Sequence, residues 1–142
     1  MKRFLLSIAV LAPALFPDSA LAQTGSLEGH WQNGAMEIEI SPCGSKLCGT
    51  VTKASAKQQE KAESGSGTQL LGAKIIDNIE PTGPQNWNAD IFVASRNTYA
   101  RGTIEEIGSD QMTVRGCVAF ICKTSHWSRT PANVEAPQND PH

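Results

Sequence analysis

The stretch TYARGTIEEIGSDQMTVRGCVAFICKTSHWSR, Thr98 to Arg129, sets the reading of the whole chain. TYARGTIEEI has the composition of a strand, and GSD at Gly108 to Asp110 is a turn signal. QMTVRGC and ICKTSHWSR follow as two further strands, joined at CVAFIC, Cys117 to Cys122. The same cysteine spacing recurs upstream in CGSKLC, Cys43 to Cys48, between AMEIEIS and LCGTVTK. In AMEIEIS, Met36, Ile38 and Ile40 fall on one face and Glu37 and Glu39 on the other, which is the pattern of a half-buried strand. Each cysteine pair therefore brackets a hairpin turn.

Working outward, AKIID around Ile75 and Ile76 is a short apolar run, WNADIFV alternates in part, and ASRN reads as a turn. Strands at short intervals with turns between them predict an all-β fold, a meander that closes into a small antiparallel up-and-down barrel. One segment breaks the pattern. Lys53 to Gln69 is polar and rich in small residues. Within it, Ala54 to Glu63 suits a short helix and Ser64 to Thr68 a flexible linker, so the segment is expected to form a mobile loop over a barrel mouth.

The chain has 142 residues and begins MKRFLLSIAVLAPALFPDSALAQTG. Lys2 and Arg3 precede an apolar run from Phe4 to Phe16, and Ala20-Leu21-Ala22 forms a small-x-small cleavage site. Residues 1–22 thus read as a secretory signal peptide, cut before Gln23, and the apolar run is too short to span a membrane. No cysteine follows the cut, so no lipid anchor is expected. The expected organisation is the signal peptide, a single barrel domain at 23–130 and a disordered tail at 131–142, in a periplasmic or secreted protein.

Removing residues 1–22 takes Lys2, Arg3 and Asp18 away from 12 basic and 14 acidic residues, leaving 10 against 13, or −3. With no basic patch, nucleic acid is not an expected partner. No further stretch has the length and apolar character of a membrane span. Oligomeric state is not legible.

Export bears on the four cysteines, because thiols in an oxidising compartment become disulfides. A four-thiolate zinc site is the rival, but its ligand pairs usually lie closer together. Neither pair has the C-x-x-C spacing of redox proteins. Four cysteines allow three connectivities. Local bridges, Cys43–Cys48 and Cys117–Cys122, would clip each hairpin at its mouth and are the expected pairing. In the chain-entropy picture each such small loop contributes about 2 kcal/mol.

Other chemistry is sparse. His30 and His126 each precede a tryptophan, and barrel closure is expected to bring them close together as a solvated pair on the outer face rather than a metal site. Glu105 and Glu106 are sequence neighbours, so they point to opposite faces and cannot form a carboxylate dyad. No serine sits in a nucleophile elbow, and SGSGT at Ser64 lacks the lysine of a phosphate-binding loop. No catalytic residue, cofactor or metal site is expected.

GHWQNG opens the domain and HWSRT closes it. Gly29 leaves room for close packing, Trp31 can plug one end of a barrel, and Trp127 and Arg129 share a face because they are two apart. A guanidinium can lie flat on an indole while donating hydrogen bonds, so Gly29, Trp31 and Arg129 are expected to seal the junction of first and last strands. Together with Cys43, Gly44, Leu47, Cys48 and Gly49, then Leu70, Leu71 and Gly72, then Val114, Arg115, Gly116 and Cys117, these ends resemble the bacterial exported family called domain of unknown function 2147. The resemblance spans about residues 26–130 and implies a calycin or lipocalin-like barrel of about eight strands. The family pattern is altered here at Ala54 to Gln69 and in FVASRNTY, which keeps only Tyr99 of its usual hairpin.

A barrel of that size either holds one small ligand or is filled by its own side chains. The candidate lining is Trp87, Phe92, Tyr99, Met112, Val114, Phe120 and Trp127. Beyond residue 22 the chain has only two Phe, three Trp and one Tyr, while Ala100 and Gly102 sit where bulk would otherwise fill the centre. The expectation is an exported module that binds a small apolar or amphipathic ligand, with Trp87, Tyr99 and Trp127 as contacts. The alternative is a ligand-free structural or interaction component of the cell envelope.

Overall fold

The computed structural model describes residues 12–13 and 27–131. The expected signal peptide and tail therefore lie outside the described residues, except for Ala12, Pro13 and Pro131. Eight strands follow one another: β1 (Gly29–Asn33), β2 (Met36–Cys43), β3 (Lys46–Lys53), β4 (Lys74–Gly83), β5 (Asn86–Val93), β6 (Thr98–Ile107), β7 (Gln111–Val118) and β8 (Ile121–Arg129). Each pairs antiparallel with its sequence neighbour, and β8 returns to β1 to close the barrel.

Up-and-down order fixes two ends. The β1–β2 turn, the β3–β4 connection, the β5–β6 loop and the β7–β8 turn lie at one end, here called upper. The β2–β3, β4–β5 and β6–β7 turns lie at the lower end, beside Leu27, Glu28 and Arg129. The inward face follows strand parity. On β6, Ala100, Gly102, Ile104 and Glu106 are buried, while Tyr99, Arg101, Thr103 and Glu105 are exposed. Glu105 and Glu106 do face opposite ways.

The core fills the lower and middle barrel, where Leu27, Trp31, Ile38, Ile40, Ile79, Ile104 and Met112 are essentially inaccessible to solvent. The inward glycines let opposing chains approach. A Cβ on Gly102 would collide with the Ile91 side chain, so the missing side chain is what lets Ile91 reach across the interior.

The β3–β4 connection differs from the expected loop. The short helix expected within Ala54 to Glu63 is present as α1 (Ala56–Ser66), and it continues through Ser64 to Ser66, where a linker is expected. Ser55 caps its start: its hydroxyl accepts from the Gln58 backbone N–H at 3.1 Å, and the Gln58 side chain accepts from the Ser55 N–H at 2.9 Å. Gly67, in the left-handed region at φ 71°, ends it. Gly65 lies so close to the Ser95 backbone that no Cβ would fit between them, and Ala62 is buried in the same cluster as Leu70 and Ala94. The glycines that look like a flexible tether are thus a docking contact and a helix stop.

Both local disulfides are present, Cys43–Cys48 and Cys117–Cys122. Cys117 and Cys122 face each other directly in the β7–β8 register, just below the two-residue turn Ala119–Phe120. Cys43 and Cys48 bracket the Gly44–Ser45 turn, where Gly44 takes φ 70°. One clip therefore sits at each end of the barrel. Non-reducing peptide mapping is expected to recover these two pairs and no crossed pair, with no bound zinc. Cys→Ser replacement of either pair should lower stability by about 2 kcal/mol in denaturant titration.

Candidate functional site

Two features stand out: a seal at the lower end and a cavity at the upper end. The seal is built where β8 meets β1, with Trp31 opposite Arg129 in the register. The Arg129 guanidinium lies over the Trp31 indole, its central carbon 4.2 Å from the ring centroid. Its Nε donates to the Ser109 carbonyl at 2.9 Å and its Nη1 to the Glu28 carbonyl at 2.6 Å. The indole N–H of Trp31 donates to the Leu27 carbonyl at 2.9 Å. Gly29 has φ 128°, and a Cβ there would stand 2.6 Å from Nη1, so both backbone and space require glycine. Gly29, Trp31 and Arg129, the three residues expected at the junction of first and last strands, thus meet there.

Sequence reasoning missed a fourth member. Glu106 is 7% exposed and is the buried charged residue of the described chain. Its Oε2 lies 3.5 Å from Arg129 Nη2, an ionic contact, and no hydrogen bond reaches that oxygen from the described residues. The parity of Ala100, Gly102 and Ile104 carries Glu106 inward, so strand alternation was the signal that could have found it.

The upper cavity has a volume of about 460 Å³, within the range of small-molecule sites. It is enclosed by the upper halves of β4 to β8. Ile75, Ile76, Ile91, Val93, Ala100, Val114, Val118 and Ile121 contribute its apolar wall, and Trp127 bounds it below. Trp127 is held by a hydrogen bond from its indole N–H to Ser125 Oγ at 2.9 Å. The space exists because Ala100 and Gly116 present almost no side chain to it. Arg96, Thr98, Lys123, Thr124 and Ser125 supply the polar part of the lining. Helix α1 stands beside this cavity: a smaller hollow of about 290 Å³ under Ala62 shares Ile75, Ile91 and Val93 with it.

The three expected ligand contacts are not brought together. Trp127 lines the upper cavity. Trp87 is buried but faces a separate hollow of about 430 Å³ at the lower end, among Leu27, Leu47, Ile79 and the turn residues Gly44, Ser45, Gly83 and Pro84. Tyr99 is 69% exposed on the outer face, against Phe92, with ring centroids 4.9 Å apart. Phe120, expected inside, is fully exposed at the tip of the β7–β8 turn. The two corrections have different causes: the parity of β6 is fixed by Ile104, which turns Tyr99 outward, and Phe120 falls in the turn rather than on a strand. Val114 and Met112 do point inward, and only Val114 reaches the cavity.

The histidines are also separated. His30 pairs along the seam with Thr130, whose N–H donates to the His30 carbonyl at 2.9 Å. His126 lies four residues back along β8, roughly 13 Å away at strand rise. Instead, His30 sits between Glu37 (3.2 Å) and Glu39 (2.9 Å), while His126 contacts the Thr113 hydroxyl at 3.4 Å. Among the described residues no group of three or more His, Cys, Asp or Glu is placed to hold a metal ion. No helix among them is long and apolar enough to cross a membrane.

An eight-stranded closed meander with an Arg-on-Trp seal and an upper apolar cavity is a lipocalin-like barrel. A family model, described as an uncharacterized protein conserved in bacteria (DUF2147), matches residues 29–129, and the chain belongs to that family. Among solved structures, it is similar to protein HP1028 from Helicobacter pylori, described as belonging to the lipocalin family. The TM-score is 0.58 at 10% identity, over 74% of this chain and 83% of that one, a likeness of fold alone. No curated protein matches.

The seal generates a coupled prediction. Arg129→Ala should lower stability by about 2 to 3 kcal/mol, because it strips the indole of its cover and leaves the Glu106 carboxylate buried without a counter-charge. In a Glu106→Gln background the same substitution should cost about 1 kcal/mol less. Chemical denaturation of the four proteins measures this. Wild-type stability for Arg129→Ala, or an equal cost in both backgrounds, would contradict the arrangement.

Proposed function

We propose that this protein is an exported binding module that holds a small apolar or amphipathic molecule in the upper cavity. The observation that carries the reading is the cavity itself, with its nearly continuous aliphatic wall and Trp127 beneath. An apolar cavity too dry for ordered water accepts apolar guests, and burial of the guest's surface drives the association. The lipocalin-like fold is compatible with the reading, since a barrel of this size has room for one small ligand when its own side chains do not fill it. The start of the chain and two disulfides support export to a periplasmic or extracellular location. The reading assigns no catalytic role, and among the described residues the cavity lining has no histidine, cysteine or carboxylate.

A second reading, an envelope component that works by contact with another macromolecule, draws on Phe120, which stands fully exposed at a hairpin tip. Native mass spectrometry of protein isolated from its own compartment separates the two, because a binding module should retain a small molecule. Titration with a fluorescent fatty-acid analogue should give a saturable change, with quenching or shift of the Trp127 emission. Ala100→Phe, which places a ring inside the cavity, should weaken binding about tenfold or more while the melting temperature stays near wild type. Absence of saturation with any apolar probe would reject the binding reading in favour of the second.

A further inference from the structure

The ionisable groups of the upper cavity are of one sign. Among the described residues, Arg96, in the β5–β6 loop, and Lys123, on β8, are its only charged lining residues, and both are cations. Lys123 shares strand parity with Ser125 and Trp127, so it stands on the inward face of β8, nearer the upper end than Trp127. Arg96 is fixed to the rim by its backbone N–H, which donates to the Val93 carbonyl at 3.0 Å. Both side chains are exposed, so the charges lie at the opening; Val114 and Trp127 lie deeper in the barrel than Lys123, and Val118 and Ile121 lie beside the β7–β8 turn.

Elsewhere on the strands the lysines are neutralised: Lys46 by Glu80, Lys53 by Glu37 and Lys74 by Asp77, at 3.2 to 3.8 Å. Among the described residues neither Arg96 nor Lys123 has a carboxylate partner. Arg101 and Arg115 on the strands likewise have no such partner among the described residues, but Arg96 and Lys123 are the two that border the apolar cavity. A cleft lined by one sign of charge concentrates ligands of the other sign. Thr98 and Thr124 add hydroxyls to the same lining, each able to donate to an oxyanion, whereas the Ser125 hydroxyl already donates to the Val114 carbonyl at 3.4 Å.

We infer that the ligand is an anionic amphiphile: an apolar tail within the aliphatic wall and a carboxylate or phosphate head held at the opening by Arg96 and Lys123. This rests on the reading of the cavity as a binding site. It adds that the head group is recognised by charge. A guanidinium can hold either oxyanion through two parallel hydrogen bonds, and the ammonium adds a point charge.

The test compares probes that share one tail: laurate, lauryl phosphate, dodecanol and dodecyltrimethylammonium, each competing against a fluorescent apolar reporter. The two anions should bind about tenfold tighter than dodecanol at low salt, and the cation weaker than dodecanol. The advantage of the anions should shrink as salt is raised, since the charges are exposed. In Arg96→Gln/Lys123→Gln the ratio of laurate to dodecanol affinity should fall to near one, and Arg96→Gln/Lys123→Glu, which leaves a lone carboxylate at the opening, should reverse the order of the charged probes. Tighter binding of lauryl phosphate than of laurate assigns a phosphate head, and the reverse order a carboxylate. Equal binding of laurate and dodecanol in the wild type, or a ratio unaltered in the double variant, overturns the head-group assignment and leaves the cavity reading standing. Failure of all four probes to displace the reporter overturns the assignment, and failure of the reporter itself to bind overturns the cavity reading as well.

Discussion

The Arg129 guanidinium is the group on which the barrel's integrity turns. It joins the two ends of the sheet, and it does so through four kinds of contact at once: stacking on Trp31, hydrogen bonds to the Glu28 and Ser109 carbonyls, an ionic contact with Glu106, and close approach to Gly29. β1 is only five residues long, and the seam with β8 has just two register pairs. A ladder that short has little strength of its own, so side chains complete the closure. An arginine suits this role better than a lysine, because its planar fork can stack and donate in several directions together. Glu106 deepens the commitment: once a carboxylate is buried inside the barrel, loss of its counter-charge is costly.

With the lower end sealed by side chains, the upper end is free to stay open. The division follows from where bulk is placed along the strands. Below the equator, Trp31, Ile38, Ile40, Ile104 and Met112 interlock. Above it, the inward Ala100 on β6 has a small side chain that leaves volume open to the cavity, while Gly116 on β7 lies against Ile91 and Ala100. Gly102 shows the contrast, since Ile91 fills the space beside it. Small side chains make a cavity only where no opposing chain is long enough to occupy the vacancy.

Much of the fold was legible in the sequence. Period-two alternation located the strands, and paired cysteines at hairpin mouths located two of the turns. The ends GHWQNG and HWSRT located the seam. The site was less legible. Aromatic character suggested that Tyr99 and Phe120 face inward, but hydrophobicity cannot set a strand's phase. Ile104 sets it for β6, and the same phase that expels Tyr99 draws in Glu106. The Ser64–Thr68 segment looked flexible because glycine is permissive in isolation. Its conformation is decided by contacts that a sequence does not display, the Ser95 backbone against Gly65 above all. Arg96 and Lys123 passed unnoticed for a related reason: they are 27 positions apart in the chain. Only closure of the barrel gives them a common opening.

The up-and-down order has a consequence for how the chain reaches this state. Seven of the eight strand pairings join elements adjacent in sequence, so nearly every hairpin can form from local chain. The eighth spans the molecule: Glu28 and Arg129 are 101 positions apart. Closing a loop of that length from an unstructured chain carries the largest entropic penalty in the fold. The penalty shrinks once the intervening meander has curled and brought its own ends near each other. The seam is therefore the natural last step of assembly, and the guanidinium that completes it acts as the latch on a structure already formed.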